Sequence, residues 1–145
     1  MNSDDAAGIL LRFNNGARAT VSISQISSGR KNSINWEISG PEGSLAFDSE
    51  NPEQLWIGHR GRANEVLHKD PGMLSAEAAK TAFYPGGHVE GFSETFRGLF
   101  ERVYEDIENE TQSNTYPTFA DGVKSLEITD AIAQSAKNSA WVKIA

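Results

Sequence analysis

His88 is the residue in this sequence best suited to chemistry. It follows the residues Tyr84-Pro85-Gly86-Gly87, whose composition is typical of a loop. A histidine can donate or accept a hydrogen bond and can move a proton near neutral pH. The two glycines form either a plain turn or a loop that faces a ligand, next to a helix start that favours anions. His88 is likewise either a structural residue or part of a site. We expect it at the rim of a concave surface, because the apolar pattern starts only at Phe92.

The other patterns of reactive residues are incomplete. His59, His68 and His88 do not have the spacing of a local metal motif, and the acidic turn at 48–53 lacks the glycine and terminal glutamate of a calcium loop. The sequence has no cysteine, no G-x-S-x-G elbow, no G-x-x-x-x-G-K-[ST] loop and no G-x-G-x-x-G turn. We therefore predict no catalytic set, no metal site and no cofactor-binding residues on this chain.

Length and composition limit the class of protein. A chain of 145 residues is the size of one domain, so we predict a single domain over 1–145. Its net charge of -7 works against nucleic acid, because phosphate binding requires clustered lysine and arginine. No apolar run approaches the ~20 residues that span a bilayer, and the first residues do not form a signal peptide. We expect a cytoplasmic protein that binds neither nucleic acid nor membrane.

The first half of the chain carries strand patterns that would position these residues. Apolar side chains alternate over 7–13 and 17–23 around a turn at 14–16, and again over 34–38 and 45–47 around a turn at 40–43. Shorter strands are predicted near 55–57 and 65–68. On the first hairpin the alternate positions are polar or small, so one sheet face is predicted to be buried and the other open.

The second half carries helix patterns. Apolar residues recur at helical spacing from about Glu90 to Asn109, and Thr118 with Asp121 signals the start of another helix. A short alanine-rich helix is predicted near 75–81, and a closing strand at Trp141–Ile144. Together the patterns predict an α+β fold with an open, mostly antiparallel β-sheet and helices packed on one face.

Several short stretches also occur in a characteristic order along nearly the whole chain. They are Leu10–Phe13, Asn15–Gly16, Ser24–Gln25, Gly29–Asn32, Glu37–Gly40, Glu42–Leu45, Glu53–Gly58, Pro85–Phe92, Thr118–Gly122, Asp130–Ile132 and Ser135–Ala136. In this order they resemble the C-terminal domain of the Gfo/Idh/MocA family, the glucose-fructose oxidoreductase and inositol dehydrogenase group of NAD(P)-dependent enzymes.

The resemblance implies an open sheet whose free face commonly pairs with a second subunit. In the family, an N-terminal Rossmann domain binds NAD or NADP, and a Glu-Lys-Pro motif and a later Asp-x-x-x-His stretch supply catalytic groups. None of the three occurs in this sequence. The resemblance therefore implies that this chain is a piece of a longer enzyme. It also implies that the isolated chain is inactive and binds neither NAD nor NADP.

The resemblance also implies which residues bind substrate: Gln25, Arg30 and Asn32, in the loop after the second strand, and His88. Their side chains suit directional hydrogen bonds to the hydroxyls of a sugar or polyol. The predicted function is the C-terminal domain of an NAD(P)-dependent sugar or polyol oxidoreductase, which shapes the substrate pocket and forms a homo-oligomer through the open sheet face. The alternative is a free-standing binding or dimerisation module with no catalytic activity.

Overall fold

The computed structural model describes residues 4–144 as two compact units. The first unit takes the chain up to Arg30 and again from Pro117 onward, and the second runs from Lys31 to Tyr116. The strands are β1 (Ala6–Arg12), β2 (Arg18–Ser24), β3 (Asn35–Ser39), β4 (Gly43–Asp48), β5 (Gln54–His59) and β6 (Glu65–His68). The helices are α1 (Ala76–Ala79), α2 (Phe92–Asn109) and α3 (Phe119–Asn138), with a 3-10 turn at Pro71–Met73.

In the first unit, β1 and β2 form the predicted antiparallel hairpin. The register pairs Ala7 with Ile23, Ile9 with Val21 and Leu11 with Ala19, so the alternating apolar residues of both strands share one face. Gly16 closes the turn with a φ of 91°, a conformation that glycine adopts without a steric penalty. The alternation and the turn composition therefore predicted this element correctly.

Helix α3, also in the first unit, begins where the sequence predicted. Thr118 is its N-cap: the Asp121 N–H donates to Thr118 Oγ1, and Thr118 N–H donates to Asp121 Oδ2 at 2.8 Å. These hydrogen bonds, from the Thr118 backbone first, lower the pKa of Asp121. The helix buries Ala131 but leaves the larger apolar side chains of Phe119, Val123 and Leu126 exposed, and Phe119 is 98% exposed.

The predicted closing strand at Trp141–Ile144 is wrong. Residues 141–144 have no regular secondary structure, and α3 ends at a left-handed Ser139 with a φ of 51°. The Trp141 ring instead lies against the Arg12 guanidinium, 4.2 Å from the ring centroid. A cation–π contact of this kind holds an aromatic residue at the end of a chain without any strand pairing.

In the second unit, β3 to β6 form a four-stranded antiparallel sheet in sequence order. The predicted hairpin pairs Trp36 with Phe47 and Ile38 with Leu45, and the rings of Trp36 and Phe47 stack with centroids 5.7 Å apart. All neighbouring strands are joined by short connections, which antiparallel pairing permits. The β4–β5 pair is so close at Gly43 that a Cβ there would lie 2.5 Å from the Gly58 carbonyl oxygen.

These elements confirm the α+β class and the open antiparallel sheets. The strands divide into two sheets, one of two strands and one of four. Helix α2 begins at Phe92, two residues after the predicted start, and ends at Asn109 as predicted. The packing of the helices on one sheet face and the single-domain organisation over 1–145 stay predictions. Within residues 4–144, no helix has the length and apolar character needed to cross a bilayer.

Candidate functional site

The His88 loop, defined as residues 84–90, begins with a tight turn. His88 N–H donates to the Pro85 carbonyl at 3.2 Å, and Gly87, the third residue of the turn, has a φ of 81°. A positive φ at that position is what a type II turn requires, and glycine meets the requirement without strain. The side chain of His88 is exposed. The turn therefore places His88 at the surface and not in the apolar core, whereas its position at the rim of a concave surface stays a prediction.

A lysine holds the backbone of this loop at His88. Lys69, directly after β6, donates from Nζ to the His88 carbonyl oxygen at 3.1 Å. The same ammonium lies 3.2 Å from Glu53 Oε2 and 3.2 Å from Glu90 Oε1, as ion-pair contacts. We call Glu53, Lys69 and Glu90 the carboxylate–lysine cluster. It ties the His88 loop to the adjoining ends of β5 and β6.

The two carboxylates of the cluster also accept backbone hydrogen bonds from the loop. Glu90 N–H donates to Glu53 Oε1 at 2.8 Å, and Tyr84 N–H donates to Glu90 Oε1. Glu53 and Lys69 are themselves joined by a backbone hydrogen bond of 2.8 Å, which extends the β5–β6 ladder by one pair. Both ends of the loop are therefore held through the same three side chains.

The start of α2 provides a second attachment for this region. Glu94 Oε2 accepts from the Gly91 N–H at 2.8 Å, which lowers the pKa of Glu94, and Glu94 Oε1 accepts from the Tyr84 hydroxyl at 3.4 Å. One turn along the helix, the Arg97 guanidinium lies 4.2 Å from the centroid of the Phe83 ring. Contacts with α2 therefore fix the residues at both ends of the His88 loop.

The other three predicted substrate residues follow β2. Gln25 and Arg30 lie in the first unit and Asn32 lies in the second, as does His88. All three are exposed. Gln25 N–H donates to the Asp5 carbonyl at 2.9 Å, and Arg30 N–H donates to Ser27 O at 3.3 Å across a turn in which Gly29 has a φ of 82°. Their assembly with His88 into one substrate site stays a prediction.

The remaining histidines have different surroundings. His59 Nε2, at the end of β5, lies 2.6 Å from Glu65 Oε1, and the Arg62 Nη2 lies 3.1 Å from the same oxygen. The hydrogen bond from His59, more than the Arg62 charge, lowers the pKa of Glu65. These contacts close the turn between β5 and β6. Across residues 4–144, no three histidine or carboxylate side chains converge as metal ligands.

Sequence reasoning missed Asp106, the buried carboxylate of α2. It is 6% exposed and accepts from Thr111 Oγ1 at 2.8 Å, from the Ser113 N–H at 2.9 Å and from Ser113 Oγ at 3.0 Å. These hydrogen bonds, from the Ser113 backbone first, lower the pKa of Asp106 to about 2. They also offset the unfavourable position of a carboxylate near the C-terminal end of a helix. The Ser/Thr-rich segment directly after α2 was the sequence signal for this cap.

The described residues do not fit a dinucleotide site. Such a site uses a glycine-rich turn from a strand into a helix within a parallel βαβ unit. Every strand pairing among residues 4–144 is antiparallel, and the helix after the Gly86–Gly87 turn begins only at Phe92.

One face of the four-stranded sheet forms an open groove of about 550 Å³. Directly paired residues project to the same face of an antiparallel sheet. The row Glu37, Ala46, Trp56 and Val66 crosses all four strands and lines this groove. We call this row the groove face. It combines an aromatic ring and apolar side chains with one carboxylate.

The fold and the loop geometry describe an α+β domain whose exposed polar side chains lie on loops carried by antiparallel strands. Residues 1–144 match the family described as the oxidoreductase family, C-terminal alpha/beta domain, so the chain belongs to the Gfo/Idh/MocA oxidoreductases as their C-terminal domain. The resemblance inferred from the sequence is confirmed. Levoglucosan dehydrogenase from Pseudarthrobacter phenanthrenivorans is 29% identical over 97% of this chain, which spans 36% of that protein.

Solved structures agree with this assignment. An oxidoreductase from Sinorhizobium meliloti superposes with a TM-score of 0.91 at 28% identity, over 98% of this chain and 42% of that one. A levoglucosan dehydrogenase in complex with NADH and levoglucosan superposes with a TM-score of 0.86 at 27% identity, over 99% of this chain and 39% of that one. The chain thus spans well under half of each relative.

Proposed function

We propose that this chain is the substrate-side domain of an NAD(P)-dependent oxidoreductase that acts on a sugar or polyol. The similarity to a dehydrogenase solved with NADH and levoglucosan supports this class of substrate and cofactor. The antiparallel topology of the described residues supports a division of labour, in which NAD or NADP binds to another part of the longer protein. The cofactor would supply the hydride chemistry there. A cytoplasmic location belongs to the same proposal.

The exposed imidazole of His88 on a tied loop is the observation that carries the proposal. A polyol site needs directional donors and acceptors held in one geometry, because a loose group loses binding free energy when it is ordered. His88 meets both conditions: its side chain is exposed, and its carbonyl oxygen is held by Lys69. In our proposal, the imidazole donates to or accepts from a substrate hydroxyl, and Gln25, Arg30 and Asn32 contribute further hydrogen bonds.

The test is His88→Ala in the full-length oxidoreductase. We expect kcat/KM for the sugar to fall at least ~10-fold, because a directional contact to the substrate is lost. We expect the free energy of unfolding to change by less than about 1 kcal/mol, as for other exposed positions. Val89→Ala, at the exposed neighbouring residue, is the matched control and should leave kcat/KM unchanged. A large loss of stability with unchanged kinetics would assign His88 to the scaffold.

We also propose that the chain forms a homo-oligomer through the groove face. Trp56 and Val66 are exposed there, and aromatic side chains are enriched in the buried centres of interfaces. A second copy placed on this surface would cover the Trp56 ring and remove apolar area from water. Glu37 would then lie among the interface residues, where its Oε1 already accepts from Ser39 Oγ at 3.1 Å and its other oxygen needs a polar partner from the second copy.

Sedimentation velocity at ~100 µM chain tests the oligomer, because standard interfaces hold at that concentration. The unmodified chain should sediment as a dimer or larger species. Val66→Glu adds a second carboxylate to the groove face and should shift the chain toward monomer. Met73→Glu, at an exposed residue of the 3-10 turn, should not. A strict monomer for the unmodified chain would refute the interface.

A further inference from the structure

The carboxylate–lysine cluster joins the end of the His88 loop, at Glu90, to Glu53 and Lys69 beside β5 and β6, and none of its members is predicted to contact substrate. We propose that Lys69 is a positioning residue, which fixes the His88 loop on the ends of β5 and β6 so that the imidazole meets the substrate in one geometry. The part of this inference that concerns catalysis rests on the proposed function of His88. The part that concerns the loop stands on its own contacts.

The Lys69 ammonium lies among three oxygen atoms. It donates one hydrogen bond, to the His88 carbonyl at 3.1 Å, and lies at ion-pair distance, 3.2 Å, from both Glu53 Oε2 and Glu90 Oε1. The carbonyl contact acts directly on the residue that carries the imidazole. The two carboxylates hold the ammonium beside that carbonyl, Glu53 from just before β5 and Glu90 from the end of the His88 loop.

The side chains of the carboxylate–lysine cluster are largely buried. The side chains of Lys69, Glu53 and Glu90 are 14%, 16% and 10% exposed, so water screens their interactions far less than it screens an ion pair on the surface. Lys80 and Glu77 form such a surface pair, with side chains 66% and 81% exposed. Exposed pairs contribute little to stability. A charged cluster this far removed from water is costly to disrupt, which makes it an effective clamp.

The glycines of the His88 loop allow alternative backbone conformations that the cluster restricts. Gly86 and Gly87 lower the barrier to alternative backbone conformations, so the turn alone does not hold the His88 carbonyl in place. Glu90 N–H and Tyr84 N–H both donate to cluster carboxylates. Removal of the cation would therefore loosen the donors at both ends of the loop together with the carbonyl at His88.

Amide hydrogen exchange of the chain, resolved by residue with NMR, tests the loop. In Lys69→Met the amides of Tyr84, His88 and Glu90 should exchange at least ~10-fold faster, while amides of the β3–β4 ladder keep their rates. Lys69→Arg should recover most of the protection, and Lys80→Met should change none of these rates. Unchanged loop amides, or an equal increase in every amide of the second unit, would overturn the positioning role.

A second variant keeps the test decisive if Lys69→Met does not fold, since it leaves two carboxylates without their cation. Glu53→Gln removes one charge but keeps an amide oxygen that can accept from Glu90 N–H. It should accelerate exchange of the His88 amide at least ~3-fold with the β3–β4 ladder unchanged. The same rate as in the unmodified chain would count against the proposal.

Kinetics of the full-length oxidoreductase separate the two parts of the inference. Lys69→Met should lower kcat/KM for the sugar at least ~10-fold, with KM for the nicotinamide cofactor unchanged and partial rescue in Lys69→Arg. If the loop amides loosen but kcat/KM stays the same, the loop is positioned by Lys69 and the proposed substrate role of His88 is wrong. If the amides do not loosen, the positioning role is wrong whatever the kinetics show.

Discussion

The loop after β2 and the His88 loop both turn on a glycine with positive φ, Gly29 at 82° and Gly87 at 81°, but different contacts shape them. In the first loop, Ser24 Oγ accepts from Ile26 N–H and Ser27 Oγ, and Ser27 O accepts from Arg30 N–H. These partners are two or three residues apart and exposed. In the His88 loop, Lys69 and Glu53 bond to His88 and Glu90, which are 19 and 37 residues away, and the side chains of Lys69 and Glu53 are largely buried.

The difference shows that a similar turn can be built with or without buried side chains from distant residues. Contacts between near neighbours along the chain form wherever the local sequence allows them, and water competes for them. Contacts between distant residues form only after the sheet has brought its strand ends together, and they are then protected from water. We therefore expect the conformation of the His88 loop to depend on the stability of the second unit.

The largest effect on this comparison is expected for Glu53→Ala. The substitution removes one of the two carboxylates beside the Lys69 ammonium and leaves the Glu90 N–H without its acceptor in a poorly solvated position, at a cost of about 2–3 kcal/mol. The melting temperature of the chain should fall by roughly 8 °C. Ser24→Ala, which removes the exposed hydroxyl of the other loop, should lower it by less than about 3 °C. Equal effects in thermal denaturation would remove the distinction between the two loops.

A smaller effect is expected for Asp106→Asn. This variant tests whether burial or sequence separation has more influence on how much a hydrogen bond contributes to stability. The partners of Asp106 are only five and seven residues away, yet Asp106 is buried. The variant should melt about 5 °C lower at pH 7, because an amide accepts fewer of these hydrogen bonds. A change of less than ~2 °C would show that local contacts are weak even when they are buried.

The pH dependence of Asp106 supplies a control for the same variant. Its folded pKa of about 2 lies below the ordinary value of 3.8, so the charged form favours the folded state. Its contribution to stability is therefore fully present above pH ~4 and is lost as the pH falls through about 2. The difference in melting temperature between the chain and Asp106→Asn should narrow over that range. A constant difference would show that the charge of Asp106 does not contribute.

The smallest effects are expected for the glycine with a positive φ in each loop, Gly29 and Gly87. Gly87→Ala and Gly29→Ala each place a Cβ in a left-handed conformation and should cost about 1 kcal/mol, or roughly 3 °C. Gly86→Ala is the control, because its Cβ would meet the Lys69 carbonyl oxygen at an ordinary 3.6 Å and its φ is not positive. A much larger cost at Gly87 than at Gly29 would show that the cluster amplifies strain in its loop.

Sequence patterns predicted the elements whose causes are local. The alternation around Asn14–Gly16 gave the β1–β2 hairpin, and the Thr118–Asp121 signal gave the start of α3, since both involve residues only a few positions apart. The apolar spacing likewise predicted α2. The predicted strand at Trp141–Ile144 was wrong because tryptophan, valine and isoleucine have strand propensity wherever they occur, whereas the contact of Trp141 with Arg12 depends on the fold.

The sequence alone predicted the hairpins, the two long helices, the family and the position of His88 outside the apolar core. The contacts that hold the His88 loop became visible only in the tertiary structure. Nothing in the spacing of Glu53, Lys69 and Glu90 joins them, because Glu53 precedes β5, Lys69 follows β6 and Glu90 ends the His88 loop, and each has the polar character of any surface residue. The pairing of β5 with β6 places Lys69 beside Glu53, and the turn before α2 brings Glu90 to both. Electrostatic contacts act over a few ångströms, so their partners are defined only once the chain has folded.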